Sequence, residues 1–171
     1  MTRTMVLGIG NVLMGDDGVG PTLIAMLRAH YRLPEEVELV EAGTPGLDLT
    51  AVIVGVERLI VADAVRARHP PGTVLLLHRD TLPEPARSGM APHDPGLLEA
   101  LLALDFSGGA PKEVSLIGIV PSVVDLCVTL SEPVEKALPH AMNALLAELA
   151  CLGISAEPLT PALTPDLWWR T

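Results

Sequence analysis

The sequence predicts an α/β fold, a three-layer α/β/α sandwich around a mostly parallel, five-stranded twisted sheet with one antiparallel strand. Two observations support this prediction. The candidate strands are continuous apolar runs rather than alternating patterns, which is typical of strands covered by helices on both faces. Segments with apolar residues at helical spacing separate most of these runs. The runs lie at about residues 4–8, 37–41, 58–63, 74–77 and 113–118.

The first predicted helix follows the first strand closely. Pro21 is tolerated in a first helical turn, and Leu23, Ile24 and Leu27 recur at helical spacing. Pro34 ends the pattern.

Three further helices are expected along the chain. The first covers about residues 48–54, and the second begins near Pro95, for which Asp94 is a suitable N-cap. The last begins after Ser131, the predicted cap, and ends at Gly153.

The fourth strand is predicted to be antiparallel to its neighbour. The connection that leads to it from the third strand contains Pro70, Pro71 and Gly72 and has no helical pattern. A parallel strand would need a longer crossover, usually through a helix.

The length of 171 residues favours a single domain, which we expect at residues 1–153. Residues 154–171 are rich in proline and threonine, so the sequence predicts a loosely held C-terminal tail. We expect Cys127 and Cys151 to be buried free thiols, because they form no paired motif.

Composition excludes two classes of partner. The net charge is −10 and only 2% of the residues are aromatic, so neither nucleic acid nor an anionic membrane surface is an expected partner. No apolar run approaches the roughly 18 residues of a membrane span, and no export signal is evident, so we expect a cytoplasmic protein.

The glycine-rich turn after the first strand is the strongest candidate for a functional site. Gly8 and Gly10 permit close approach of other backbone, and the turn ends in Asp16 and Asp17 at the start of a helix. A signal peptide is disfavoured by these two aspartates. A dinucleotide-binding turn would need its third glycine at Leu13. An ordinary strand-to-helix turn with solvated acids remains the rival interpretation.

Other polar residues are predicted to converge on that turn. Asp63 ends the third strand, and the turn that begins at Gly43 follows the second. Carboxyl ends of parallel strands share one edge of a sheet, so Asp17, Gly43 and Asp63 are expected to lie together. His93 precedes a predicted helix N-terminus, whose dipole favours the neutral imidazole that metal ligation requires.

Two carboxylates and one imidazole, from Asp17, Asp63 and His93, would form an open metal site. The set has no thiolate and no fourth protein ligand, which suits an exchangeable or catalytic metal better than a closed structural zinc. A nucleophilic triad is disfavoured, because no serine lies in a G-x-S-x-G turn and neither cysteine has a nucleophile signature.

The ordered set of motifs resembles the hydrogenase maturation proteases, which remove the C-terminal extension of the large subunit of nickel-iron hydrogenases. The resemblance runs from about residue 4 to residue 153. The motifs that carry it are Gly8-x-Gly10-Asn11-x-Leu13 with Asp16-Asp17, Gly43-Thr44-x-Gly46, Ala62-Asp63-Ala64, Pro92-His93 and Gly118-Ile119-Val120-Pro121.

The resemblance implies a role for each matched residue. Asp17, Asp63 and His93 would contact the metal, and Asp17 and Asp63 would be the catalytic residues. The substrate-binding residues would be Asn11, Gly43, Thr44 and Gly46. Family members carry Glu or Asp at the position of Asp17, and Asp16 could contribute instead if the turn is rotated.

The resemblance also implies the substrate and its metal. The protease would be a monomer, and its partner would be the large-subunit precursor. The precursor would present nickel near the scissile bond, and other divalent ions could occupy the site in vitro. Nickel could polarise the scissile carbonyl, or it could serve only for recognition while Asp17 or Asp63 acts as the base. A non-catalytic nickel-binding assembly protein and a metal-dependent hydrolase of a small substrate are the alternatives.

Overall fold

The computed structural model describes residues 2–44, 49–82 and 97–170, and it confirms the predicted fold class. Five strands form the main sheet in the order β3-β1-β4-β6-β5, and a second, two-stranded sheet pairs β2 with β7. The strands are β1 (Thr4–Ile9), β2 (Tyr31–Arg32), β3 (Val37–Gly43), β4 (Arg58–Ala64), β5 (Val74–His78), β6 (Glu113–Ile119) and β7 (Glu157–Pro158).

Helices cover both faces of the main sheet. They are α1 (Val19–His30), α2 (Leu49–Ile53), α3 (Leu97–Ser107) and α4 (Glu132–Cys151). Residues of α1 and α4 pack with Val6, Ile60 and Ile117 in one core cluster. Residues of α2 and α3 pack with Leu7 and Val61 among others in a second cluster on the opposite face. Successive strand residues point to opposite faces, so a continuous apolar run serves both clusters.

The strand order places a crevice at the carboxyl edge of the sheet. The chain leaves β1 to form β3 on one side and later forms β4 on the other side of β1, with both pairs parallel. Ligands of open α/β sheets bind where the strand order reverses in this way. β5 is antiparallel to β6, as its helix-free connection predicts.

Helix α1 lies unusually close to the backbone of the sheet. A Cβ atom added to Gly20 would be 2.2 Å from the carbonyl oxygen of Ile9 and 2.4 Å from that of Ala62. A Cβ on Gly8 would be 2.6 Å from Cγ1 of Ile24. These two glycines therefore permit the helix to pack directly over β1 and β4.

The C-terminal segment is held to the body of the protein, so the prediction of a loosely held tail is wrong. β7 pairs with β2, the backbone N–H of Leu159 donates to His30, and that of Leu163 donates to Ala29. Trp169 is buried. The proline-rich composition of the segment concealed these contacts because their partners are remote in sequence. The division of the chain at residue 153 stays a prediction.

The cysteines are free, but both are exposed, so the prediction that they are buried is wrong. Cys127 lies in the loop before α4, and Cys151 ends that helix on its solvent side. Within the described ranges, no helix is long and apolar enough to cross a membrane.

The close approach of α1 yields a stability prediction. Replacing Gly20 with Ala should lower the free energy of unfolding by about 2–3 kcal/mol, because the new methyl group meets backbone oxygens that cannot rotate away. Urea denaturation measures the loss. Gly109→Ala is the matched control, because its Cβ would meet only side-chain atoms, the nearest at 3.3 Å. Equal stability of the two variants would contradict this account.

Candidate active site

Three loops meet at the carboxyl edge of β3, β1 and β4. In the strand register, Ile9 of β1 is opposite Gly43 of β3, and Gly8 is opposite Ala62 of β4. The backbone N–H of Gly10 donates to the carbonyl oxygen of Gly43 at 2.7 Å. The turn after β1 therefore lies between the predicted recognition turn and the strand end that carries Asp63.

Asp17 is fixed by the turn that precedes it. Its Oδ2 accepts a hydrogen bond from the backbone N–H of Asn11 at 2.7 Å. Gly10 has a φ of 134°, and a Cβ there would be 1.8 Å from the carbonyl oxygen of Asp17. Only glycine allows this fold-back, which positions the partly exposed carboxylate of Asp17.

Asp16 has a different environment from its neighbour. Its side chain is fully buried and accepts four hydrogen bonds. The donors are the backbone N–H groups of Ser122 (2.7 Å), Val123 (2.9 Å) and Ser131 (2.6 Å), together with the hydroxyl of Ser131 (2.7 Å). Asp16 therefore joins the turn after β1 to the loop before α4, and its carboxylate is committed to that role.

These donors set the ionisation of Asp16. Burial by itself disfavours the charged form, but the hydrogen bonds from Ser131, Val123 and Ser122 outweigh it and lower the pKa of Asp16 below its ordinary value. Asp16 is an anion that is solvated by protein donors rather than by water.

Ser131 precedes α4 as predicted, but its hydroxyl does not cap the helix. The hydroxyl donates to Asp16 instead. Ser131 is thus the N-cap residue of α4 by position, as predicted, but its hydroxyl makes no capping hydrogen bond.

Asp63 lies in β4, one residue before the strand ends, and is half-buried opposite Gly118 of β6. His93 and Gly46 lie outside the described residues. In the parts of the chain that the structure describes, no three His, Cys, Asp or Glu side chains are grouped closely enough to hold a metal ion. The set formed by Asp17, Asp63 and His93 thus stays a prediction.

A cleft of about 510 Å³ lies beside this edge. Asn11, Gly43 and Thr44, all predicted to bind substrate, are among its lining residues. The side-chain oxygen of Asn11 also accepts a hydrogen bond from the N–H of Leu13 at 3.0 Å, which stabilises the turn.

Trp168 also lines the cleft, and the sequence analysis missed it. Trp168 is 62% exposed, and its ring packs edge-on against the ring of the buried Trp169, with centroids 5.6 Å apart. The sequence signal that could have identified Trp168 is the pair of adjacent tryptophans in a chain with so few aromatic residues.

Comparison with known proteins identifies the family. The sequence profile of the hydrogenase maturation proteases matches residues 21–148. The chain belongs to the hydrogenase maturation protease family. The resemblance in its motifs, and the maturation endopeptidase activity expected from it, are thereby confirmed.

Relatives of the protease agree in sequence and in structure. The hydrogenase 2 maturation protease of Escherichia coli is 34% identical over 157 residues, covering 91% of this chain and 96% of the relative. The structure of the hydrogenase maturating endopeptidase HybD from E. coli superposes with a TM-score of 0.87, covering 94% of this chain and 99% of HybD. The [NiFe] hydrogenase maturation protease HybD from Thermococcus kodakarensis gives 0.65 at 26% identity, covering 85% and 98%.

The role of Asp16 in the protease can be tested by its effect on stability. Asp16→Asn should lower the free energy of unfolding by about 2–4 kcal/mol at pH 7. The substitution removes the charge and replaces one acceptor oxygen with an NH2 donor, in a site whose four surrounding groups are all donors. The pKa of Asp16 is lowered on folding, so its stabilisation is present above the unfolded value of about 3.9 and is lost as the pH falls through the folded value.

Urea denaturation between pH 7 and about pH 2 measures this difference, which should shrink in acid as wild type loses the charge. Asp125→Asn changes an exposed carboxylate in the same loop and should leave stability unaltered. Wild-type stability of Asp16→Asn at pH 7 would refute the structural role.

Proposed function

We propose that this protease removes the C-terminal extension of a nickel-loaded hydrogenase large-subunit precursor. The observation that carries the proposal is the position of Asp17, in the turn after β1, and of Asp63, at the end of the adjacent strand β4, at the crevice where the strand order reverses. The neighbouring cleft, lined by Gly43 and Thr44, offers backbone and a tryptophan ring to an extended peptide.

We further propose that Asp17, Asp63 and His93 contact the nickel ion that the precursor presents, as the family resemblance implies. Carboxylate oxygens and an imidazole nitrogen are suitable donors for nickel and for other divalent ions. The ion belongs to the substrate in this scheme, so an incomplete set of protein ligands is appropriate.

Peptide hydrolysis needs a group that accepts a proton from the attacking water. Asp17 is suited to that role, because the N–H of Asn11 fixes one carboxylate oxygen and no described residue bonds the other. Asp16 is excluded from it, since its carboxylate is buried and both of its oxygens accept hydrogen bonds. Asp63 is the second carboxylate proposed for catalysis.

Variants of Asp17 test this function. Wild type should shorten the nickel-loaded precursor and leave the nickel-free precursor intact, as seen by mass spectrometry. Asp17→Asn and Asp63→Asn should each reduce processing by about 100-fold or more, because the carboxylate is lost. Asp17→Glu should retain activity, since it keeps the charge and the family accepts Glu there.

Asp166→Asn is the control, because Asp166 is an exposed carboxylate in the C-terminal segment. A non-catalytic nickel-binding assembly protein is the alternative function. It would bind the nickel-loaded precursor without shortening it, and that result with wild type would refute the proposed activity.

The recognition turn can be tested separately. Gly43 has a φ of 60°, which asparagine tolerates, and a Cβ there has no atom within 4 Å. Gly43→Asn should therefore keep the fold, yet reduce processing at least about tenfold, because its side chain intrudes on the path of the peptide.

Gly55 provides the matched control, with a φ of 73° and equally open surroundings away from the site. Gly55→Asn should process precursor at the wild-type rate. If both variants melt like wild type and process equally fast, the turn does not recognise substrate. We propose in addition that the protease acts as a cytoplasmic monomer, following its composition.

A further inference from the structure

Most cationic side chains of this acidic protein are paired with a carboxylate. Seven of the ten described arginines and lysines form ion pairs, namely Arg3, Arg28, Arg58, Arg79, Lys112, Lys136 and Arg170. Arg32, Arg66 and Arg68 have no ion pair or side-chain hydrogen bond in the described part of the chain. Arg66 and Arg68 belong to one exposed loop that also contains His69.

This loop, residues 65–73, follows Asp63 and Ala64 and is called the cationic loop here. Arg66 and His69 line a cavity of about 420 Å³. Its other wall is formed by the segment after β6, including Val120, Pro121 and Ser122. Arg66 is three residues beyond Asp63, so the backbones of these two residues are at most roughly 10 Å apart. The cavity therefore lies near the candidate site.

Both walls of the cavity are held in place by backbone hydrogen bonds. The N–H of Val65 donates to Ile119 at 2.9 Å, and the N–H of Gly72 donates to Val120 at 2.8 Å. On the facing wall, the N–H of Ser122 donates to Asp16 at 2.7 Å. The cationic side chains therefore extend from an anchored frame, which reduces the entropy lost on binding.

The strand order fixes the position of this cavity relative to the cleft. The cleft lies beyond β1 and β3, and the cavity lies beyond β4 and β6. β1 and β4 lie between them in that row, with Asp17 in the turn that follows β1 and Asp63 near the end of β4. A peptide that passes over these carboxylates thus has the cleft on one side and the cationic cavity on the other.

We propose that the cationic cavity binds a carboxylate of the C-terminal extension of the precursor, an inference that rests on the proposed function. A peptide offers two kinds of carboxylate, an acidic side chain and the α-carboxylate at its end, and only the extension carries the latter. Arginine pairs with carboxylates through parallel hydrogen bonds. The net charge of −10 would otherwise repel a carboxylate of the extension. The unpaired cations of the cationic loop would offset this repulsion locally.

The test reverses the charge of Arg66. Arg66→Glu should raise the KM for nickel-loaded precursor about fivefold or more and leave kcat unchanged, because the contact forms on binding. Arg66→Gln should have a smaller effect. Raising salt from about 50 to 300 mM should raise the KM of wild type, and it should affect Arg66→Glu much less.

Arg32→Glu is the matched control, because Arg32 is also exposed and unpaired but lies on β2, away from the edge that carries Asp63. It makes the same change in net charge and should stay within about twofold of wild type. Thermal melting of both variants checks that the fold is intact, which the exposure of both side chains favours.

A direct binding experiment makes the test independent of catalysis. Calorimetry measures the affinity of a synthetic peptide with the sequence of the extension for wild type and for Arg66→Glu. A C-terminal amide of that peptide, and a version with Asp and Glu replaced by Asn and Gln, show which carboxylate is bound.

Weaker binding of the free-acid peptide to Arg66→Glu than to Arg32→Glu is the expected result. Equal affinities and equal KM values for those two variants would overturn the inference while the proposed function stands. The opposite outcome is also distinguishable. If peptide binding depends on Arg66 but wild type leaves the precursor intact, the proposed function is overturned while the inferred carboxylate binding in the cavity stands.

Discussion

The arrangement of the site depends on the buried carboxylate of Asp16. Its four hydrogen bonds hold the turn after β1 against the loop that precedes α4. Backbone bonds from Gly15 to Cys127 and from Cys127 to Leu13 extend the same junction. A buried anion with fewer donors would be strongly destabilising, so the charge and the loop require each other. The turn that carries Asp17 is held in place because the preceding residue, Asp16, is anchored.

Sequence reasoning identified the pair Asp16-Asp17 but could not assign their roles. The two residues have the same side chain and are adjacent, so local propensity treats them alike. The donors that distinguish them are 106 to 115 positions away along the chain. Only the tertiary fold shows that Asp16 is solvated by Ser122, Val123 and Ser131, whereas Asp17 has one bond from the turn.

The fold class was predictable from the sequence because the sheet has a core cluster on each face. Strands buried on both faces are continuous apolar runs, and both core clusters draw on alternate residues of β1 and β4. The C-terminal segment was not predictable, because its hydrogen bonds to His30 and Ala29 are long-range and its composition resembles that of a loop. Trp168 reaches the cleft only through that packing.

The single antiparallel strand has a consequence for the site. A parallel strand after β4 would have required a crossover that takes the chain away from the carboxyl edge of the sheet. Because β5 is antiparallel to β6, its first residue, Val74, is opposite Ile119 at that edge. The connection from β4 to β5 therefore begins and ends at this edge, and its Arg66 and His69 line the cavity there. The strand direction that the prolines predict thus also keeps this cationic connection at the edge of the sheet that carries Asp63.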